Sequence, residues 1–401
     1  MDDFTASLLV FVSIIIVIIL PRLRVNIGIS ILAGAIFLLF ALGGNYIEAI
    51  ASTFSLDTAR IMLIVFFSLL LIYTMRESSL LDDMLSSIRS LLKSDERTFA
   101  VLPASIGLLP MPGGAYVSAN IITPLKEKLG LNGDEATAIN YWFRHVWEYS
   151  WPIYTGVIVA ADIFNKDVGD FSLHMLFLTV VSIFFGYVFI YRRIFRKINK
   201  EYDGRNLMEV MKFIRSISPI AFVFVLTVLL GINFLLISLI IVDSILLFYL
   251  IRKGKATKIP EILKLSAKPS ILGIVFASLF MKNVVIATSA MQYTYSFFSR
   301  VGIPAVVVII LLPFLAGLMT GVTLAYVSIT FPLLKAYPMT YPAIILAYAS
   351  GYIGHLLSPV HLCLVLSSKH FNAKIGRVIR IITPSLVGVF VSSLLIYFLF
   401  Q

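Results

Sequence analysis

The sequence predicts an all-α polytopic membrane protein, an inverted repeat of about ten transmembrane helices plus two re-entrant hairpins. Three observations lead there. The 401-residue chain is 59% hydrophobic and 13% charged, with a mean hydropathy of +0.97, more apolar surface than a water-soluble core needs to bury. An apolar stretch over 99–120 is interrupted by Pro110, Met111, Pro112, Gly113 and Gly114. That stretch also occurs twice: 312–328 repeats 102–118 at an offset of 210 without a gap, with eight of seventeen positions identical.

The interruption sets the geometry. Proline removes a backbone donor and glycine loosens the chain, so four such residues within five positions end a helix. Each flanking run holds about ten residues, roughly 15 Å of helix against a hydrocarbon layer of about 30 Å. The chain therefore turns back at mid-depth. Unpaired backbone survives there only where it is buried in protein or lines a watery cavity, so the tip must face a site. Chance would match only one or two of the seventeen positions, since even common residues each make up about a tenth of a chain. At the same offset Ile61, Ile64, Val65 and Ser68 match Ile271, Ile274, Val275 and Ser278, so the repeating unit is half the protein.

In chain order, 6–20, 25–42 and 61–73 read as spans. The first follows Asp2 and Asp3 rather than a basic segment and is expected to be an anchor, not a removed signal. Residues 75–92 alternate polar and apolar at helical spacing and read as an amphipathic helix in the membrane interface. The first repeat, 1–200, continues with a hairpin at 97–123, a broken helix at 132–164 and a span at 171–190. That broken helix is expected to run over 132–150, stop at Trp151-Pro152 and resume. The second repeat, 201–401, places spans at 220–230, 234–250 and 271–286, a hairpin at 303–331, a broken helix at 341–369 interrupted at Ser358-Pro359, and a span at 379–399. At an offset of 207, Pro359 falls on Pro152 and Phe371 on Phe164.

Charge gives the orientation. Residues 192–215 hold eight basic and three acidic residues, and 252–268 hold six basic and one acidic, which marks both as cytoplasmic. Counting outward puts both termini outside and brings the hairpins in from opposite faces, the sign of an inverted repeat in a plasma-membrane protein. The net charge of +11 is thus explained by topology rather than by nucleic acid. A single cysteine, Cys363, allows no intrachain disulfide, and no Cys/His run has zinc-type spacing, so redox and structural-metal roles drop out.

Opposed hairpins bring their tips together near the midplane, beside the two breaks. Half-helix N-termini there suit an anion, while unwound carbonyls and hydroxyls suit a cation. The candidate binding residues are Pro112, Gly113, Gly114, Ser118 and Asn120 at the first tip, and Thr320, Gly321, Thr323, Ser328 and Thr330 at the second. The breaks add Ser150, Ser358 and His361. The bland alternative is that Gly107 and Gly317 only let helices approach and that the serines bond their own backbones. Arg144, His145 and Glu148 lie within one helical turn, with His355 near the second break, as pathway or coupling residues. Asp243 and Lys282 lie in apolar spans and could pair across them.

The two hairpins, the PMPGGAYVSAN tip and the YSWP and LSP breaks resemble the ion transporter superfamily of citrate, dicarboxylate and gluconate permeases. Within it they are most similar to an uncharacterised family of predicted permeases filed as a domain of unknown function. The resemblance implies a scaffold that forms a homodimer interface and a transport unit of hairpins and broken helices that moves as an elevator. Carboxylate members carry Ser-Asn-Thr at both tips, where this sequence has Pro110 to Gly114 and Thr320-Gly321-Val322-Thr323.

The function expected is secondary active transport (symport) of a small, anionic organic solute, driven by Na⁺ or H⁺, with no other cofactor; a channel is the alternative. No phosphate-binding GxxxxGK[ST] loop is present for ATP drive, and an intramembrane protease would want paired aspartates or a His-Glu-x-x-His site, which the sequence lacks.

Overall fold

A computed structural model describes residues 2–111, 114–195 and 207–400, and among these all regular structure is helical. The first half runs α1 (Asp3–Arg22), α2 (Ile27–Leu42), α3 (Tyr46–Thr53), α4 (Leu56–Glu77), α5 (Leu80–Leu92), α6 (Asp95–Gly107), α7 (Gly114–Lys128), α8 (Gly133–Arg144), α9 (Thr155–Ile163), α10 (Val168–Phe185) and, after a π-helical turn, the short α11 (Arg192–Ile194). The second runs α12 (Leu207–Leu230), α13 (Ile232–Arg252), α14 (Ile259–Ser266), α15 (Pro269–Ala287), α16 (Ala290–Arg300), α17 (Ala305–Thr320), α18 (Thr323–Leu334), α19 (Tyr341–Leu357), α20 (Leu362–His370) and α21 (Ile375–Phe400). Many helix starts are written locally: Asp2, Asn26, Ser55, Ser94, Asn132 and Asp167 each accept from a backbone N–H of the first turn.

Among the described residues, eight helical stretches are long and apolar enough to cross a membrane, which makes this a multi-pass membrane protein. The other two expected spans are the 16-residue α2 and the broken pair α8 and α9. Helices α3, α14 and α16 are elements that the hydropathy pattern did not separate from their neighbours. Residues 75–92 are not one helix: α4 continues to Glu77, and α5 starts after Ser79, which takes a left-handed φ of 65°. The apolar side of α5, with Leu80, Leu81, Met84, Leu85 and Ile88, is buried, and the helix packs on α12 and α6.

The packing alternates between the halves. Within each half, the first hairpin helix lies on the helix before the break, α6 on α8 and α17 on α19. Across the halves, the second hairpin helix lies on the other half's helix after the break, α7 on α20 and α18 on α9. Around this centre α1 packs on α2 and α16, and α12 on α13 and α5.

Two contacts fix the second hairpin. A Cβ on Gly317 would meet the backbone of Gly351 and His355, and one on Gly354 would meet the backbone of Phe314 and Leu318. Gly107 sits likewise against the carbonyl of Arg144. The close-approach reading of Gly107 and Gly317 therefore holds. Gly317→Ala and Gly354→Ala are each expected to destabilise the protein by about 1–3 kcal/mol, because neither neighbour is a side chain that can turn aside. Gly273→Ala, where a Cβ meets nothing within 4 Å, is expected to hold or raise the melting temperature. Thermal unfolding in detergent checks both.

Candidate functional site

The first break is wider and begins earlier than the sequence suggests. Helix α8 ends at Arg144, not near Ser150, because the His145 ring takes the carbonyl that continued helix would use: Nδ1 lies 2.5 Å from the Tyr141 oxygen. Successive i to i+3 bonds follow, from His145 N to Trp142, Glu148 N to His145 and Ser150 N to Trp147. Carbonyls exposed by the break receive hydroxyls from α19: Tyr352 donates to His145 at 2.9 Å and Tyr348 to Glu148 at 3.0 Å. Tyr141 returns the bond, donating to Leu356 at 3.0 Å just before the second break. Tyr154 donates to Gly107 at 2.6 Å at the end of α6.

These segments enclose a cavity of about 280 Å³. Pro110 and Met111 of the first hairpin and Gly321, Val322 and Thr323 of the second line it. Arg144, His145, Glu148 and Tyr154 come from the first break, and His355, His361 and Cys363 from the second. Gly321 has a left-handed φ of 61°, and a Cβ there would lie 3.0 Å from His361 N and Ser358 Oγ. Gly114 is pressed against Arg144, where a Cβ would lie 2.8 Å from Nε and Nη2.

Arg144 is 2% exposed; its Nη1 donates to Glu148 Oε1 at 3.3 Å and to the Tyr154 hydroxyl at 3.0 Å. Its Nε has no hydrogen-bond partner among the described residues. Beside it the rings of His145, His355 and His361 cluster, with centroids 4.0 Å apart for His355 and His361 and 5.0 Å for His145 and His361. Spacing along the chain shows no zinc-type run, yet the fold brings one histidine of the first half beside two of the second, with one ring nitrogen of each within 4.8 Å of the others.

The structure brings together Gly321, Thr323, His361, Arg144, His145, Glu148 and His355 at this cavity, with Gly114 and Ser358 packed behind it. Other expected residues stand apart. Asn120 is exposed and bonds its own helix, as do Thr320, Ser328 and Thr330, whose hydroxyls donate to carbonyls four residues back. Ser150 bonds Thr179 at 2.8 Å. Ser118 donates to Asn140 Oδ1 at 2.6 Å, and Asn140 Nδ2 in turn donates to Ala115 O and Ser367 Oγ, tying α7, α8 and α20 together. Pro112 and Gly113 lie outside the described residues. Asp243 and Lys282 do not pair: Lys282 bonds Asp162 at 2.6 Å, while Asp243 accepts from Thr74 at 3.3 Å. Their spans both pack on α4 rather than closely on one another, and α15 packs mainly on α2.

Sequence reasoning missed Tyr154, Tyr348, Tyr352, Asn140 and the cavity side of Cys363. Tyr348 and Tyr352 are four residues apart and so share a helix face, the one signal that could have been read.

Helices long enough to cross a bilayer, together with two broken pairs around a cavity that Arg144, Glu148 and three histidines help to line, define the class: a multi-pass, all-helical membrane protein. The chain belongs to the family described as "Protein of unknown function (DUF401)", which matches residues 4–399. A search of curated proteins finds no match.

Removing one partner of a buried ion pair leaves an uncompensated charge, so Glu148→Ala is expected to destabilise the protein by about 3–5 kcal/mol. The double change Arg144→Met with Glu148→Leu removes both charges and is expected to recover most of that loss. Denaturant unfolding of the two variants makes the comparison.

Proposed function

We propose that this protein is a secondary active transporter of a small, anionic organic solute, driven by a Na⁺ or H⁺ gradient. The observation that carries this reading is the cavity at which both hairpin ends and both helix breaks meet, with the buried cation Arg144 on its wall. A guanidinium presents its donors in a planar fork that suits a carboxylate, and Arg144 Nε has no hydrogen-bond partner among the described residues. The repeat part of this reading is supported by element boundaries that recur about 210 positions apart, α6 with α17, α7 with α18 and α9 with α20. The left-handed residues recur too: Ser79 with Ser289, and Asn165 with Asn372.

In this reading the hairpins enter from opposite faces, both termini are outside, and the protein sits in the plasma membrane as a homodimer. The hairpins and broken helices move together as the elevator unit. Alternating access needs the two tips to release the solute in turn, and the glycine turn at Gly321 against Ser358 and His361 is a contact such a movement would break.

The test has two stages. A thermal-shift screen of small carboxylates and sugar acids, with Na⁺ and pH varied, is expected to find a stabilising ligand, since a site held at 100 times its Kd adds about 2.7 kcal/mol. Uptake of that compound into proteoliposomes is then expected to exceed equilibrium only while a Na⁺ or H⁺ gradient lasts. Concentrative uptake without either gradient, or flux that never exceeds equilibrium, overturns the proposal. Gly321→Ala forces a side chain into left-handed backbone at about 1–2 kcal/mol and is expected to abolish uptake while membrane insertion persists.

A further inference from the structure

We propose that His145, His355 and His361 form a binding site for one divalent transition-metal ion of the zinc class. The proposal is independent of what the protein carries. One ligand nitrogen from each ring lies within 4.8 Å of the other two, and all three residues are buried. In a tetrahedral zinc site, with Zn–N bonds of about 2.0–2.1 Å, ligand nitrogens are roughly 3.3 Å apart, so the nitrogens need to close by at most about 1.5 Å.

The hydrogen bonding prepares the rings as ligands. His145 Nδ1 lies 2.5 Å from the Tyr141 carbonyl, and His361 Nδ1 lies 3.3 Å from the His355 carbonyl. A carbonyl only accepts, so each of these nitrogens carries the proton and each Nε2 keeps its lone pair. Metal-binding histidines are oriented in this way, by a backbone carbonyl on the nitrogen that does not bind. Nε2 of His145 and both ring nitrogens of His355 have no hydrogen-bond partner among the described residues. Buried imidazole nitrogens without partners are uncommon, because leaving them unpaired forfeits their hydration. A metal ion satisfies them together.

The surroundings define the ion further. Three neutral imidazoles favour zinc, nickel, cobalt or copper over magnesium and calcium, which take oxygen ligands. Three protein ligands leave a fourth position open to the cavity. Glu148 Oε1 is 3.9 Å from His145 Nε2 and supplies a nearby negative charge, but Arg144 already shares that carboxylate. The bound ion would therefore keep excess positive charge and draw an anion or hydroxide into its open position.

The test uses the full chain, purified in detergent through a histidine-free tag and stripped with chelator. Equilibrium dialysis with Zn²⁺ is expected to give one ion per chain that excess Mg²⁺ and Ca²⁺ do not displace. Co²⁺ is expected to show the strong visible absorption of a four- or five-coordinate site. His145→Gln, His355→Gln and His361→Gln are each expected to weaken Zn²⁺ binding more than about 100-fold, beyond the loss from removing an outer partner. His174→Gln and His370→Gln, the other two histidines, are expected to leave it unchanged. Binding that survives the three substitutions, or that Mg²⁺ displaces, overturns the proposal. Should a variant fail to fold, the native chain's Co²⁺ spectrum decides: the weak absorption of the hydrated ion means no site.

Discussion

Every carbonyl or amide freed where a helix stops inside a bilayer must find a partner in the protein, since no water replaces it there. This protein meets that requirement largely with tyrosine hydroxyls. Tyr348 and Tyr352 of α19 close the carbonyls of the first break, Tyr141 of α8 closes one at the second, and Tyr154 closes the end of α6. Three of these four bonds run between the halves. The central geometry follows from them: the breaks are held side by side, and Arg144 and the three histidines line the space between.

The periphery answers a different requirement. Helices α1, α12, α13 and α21 expose large apolar side chains such as Ile15, Phe222, Phe248 and Phe398, which suits contact with lipid chains. The charged pairs that remain, such as Arg300 with Asp3 and Lys212 with Asp83, join helix ends, where water reaches them. Polarity is therefore sorted into a buried centre and the two ends, with an apolar belt between.

The helical class and the second hairpin were legible because hydropathy and the proline and glycine positions are local signals. Gly321 falls where the duplicated stretch placed a turn, and Ser358-Pro359 interrupts helix as the proline requires. The first break was misplaced by six residues because its cause, the His145 ring on the Tyr141 carbonyl, is a side-chain choice with no proline attached. The helices α3, α14 and α16 were hidden because short helices between apolar runs leave little periodicity to read. In the site, the duplication put the two breaks side by side, but the packing of the three histidine rings on one another depends on side-chain directions that no linear spacing gives. Ser328 and Thr330 donate to their own helix, an outcome no spacing shows, because a hydroxyl on a helix can turn to its own backbone.

The exchange of helices between halves bears on how the chain is made. Helix α7 rests on α20, with Thr123 bonding His370 at 2.7 Å, and Asn140 of α8 donates to Ser367 of α20 at 2.8 Å. The ribosome delivers α7 long before α20 exists. During synthesis the early hairpin must therefore wait with this face uncovered, and the nascent protein reaches its mature arrangement only when its last segments arrive.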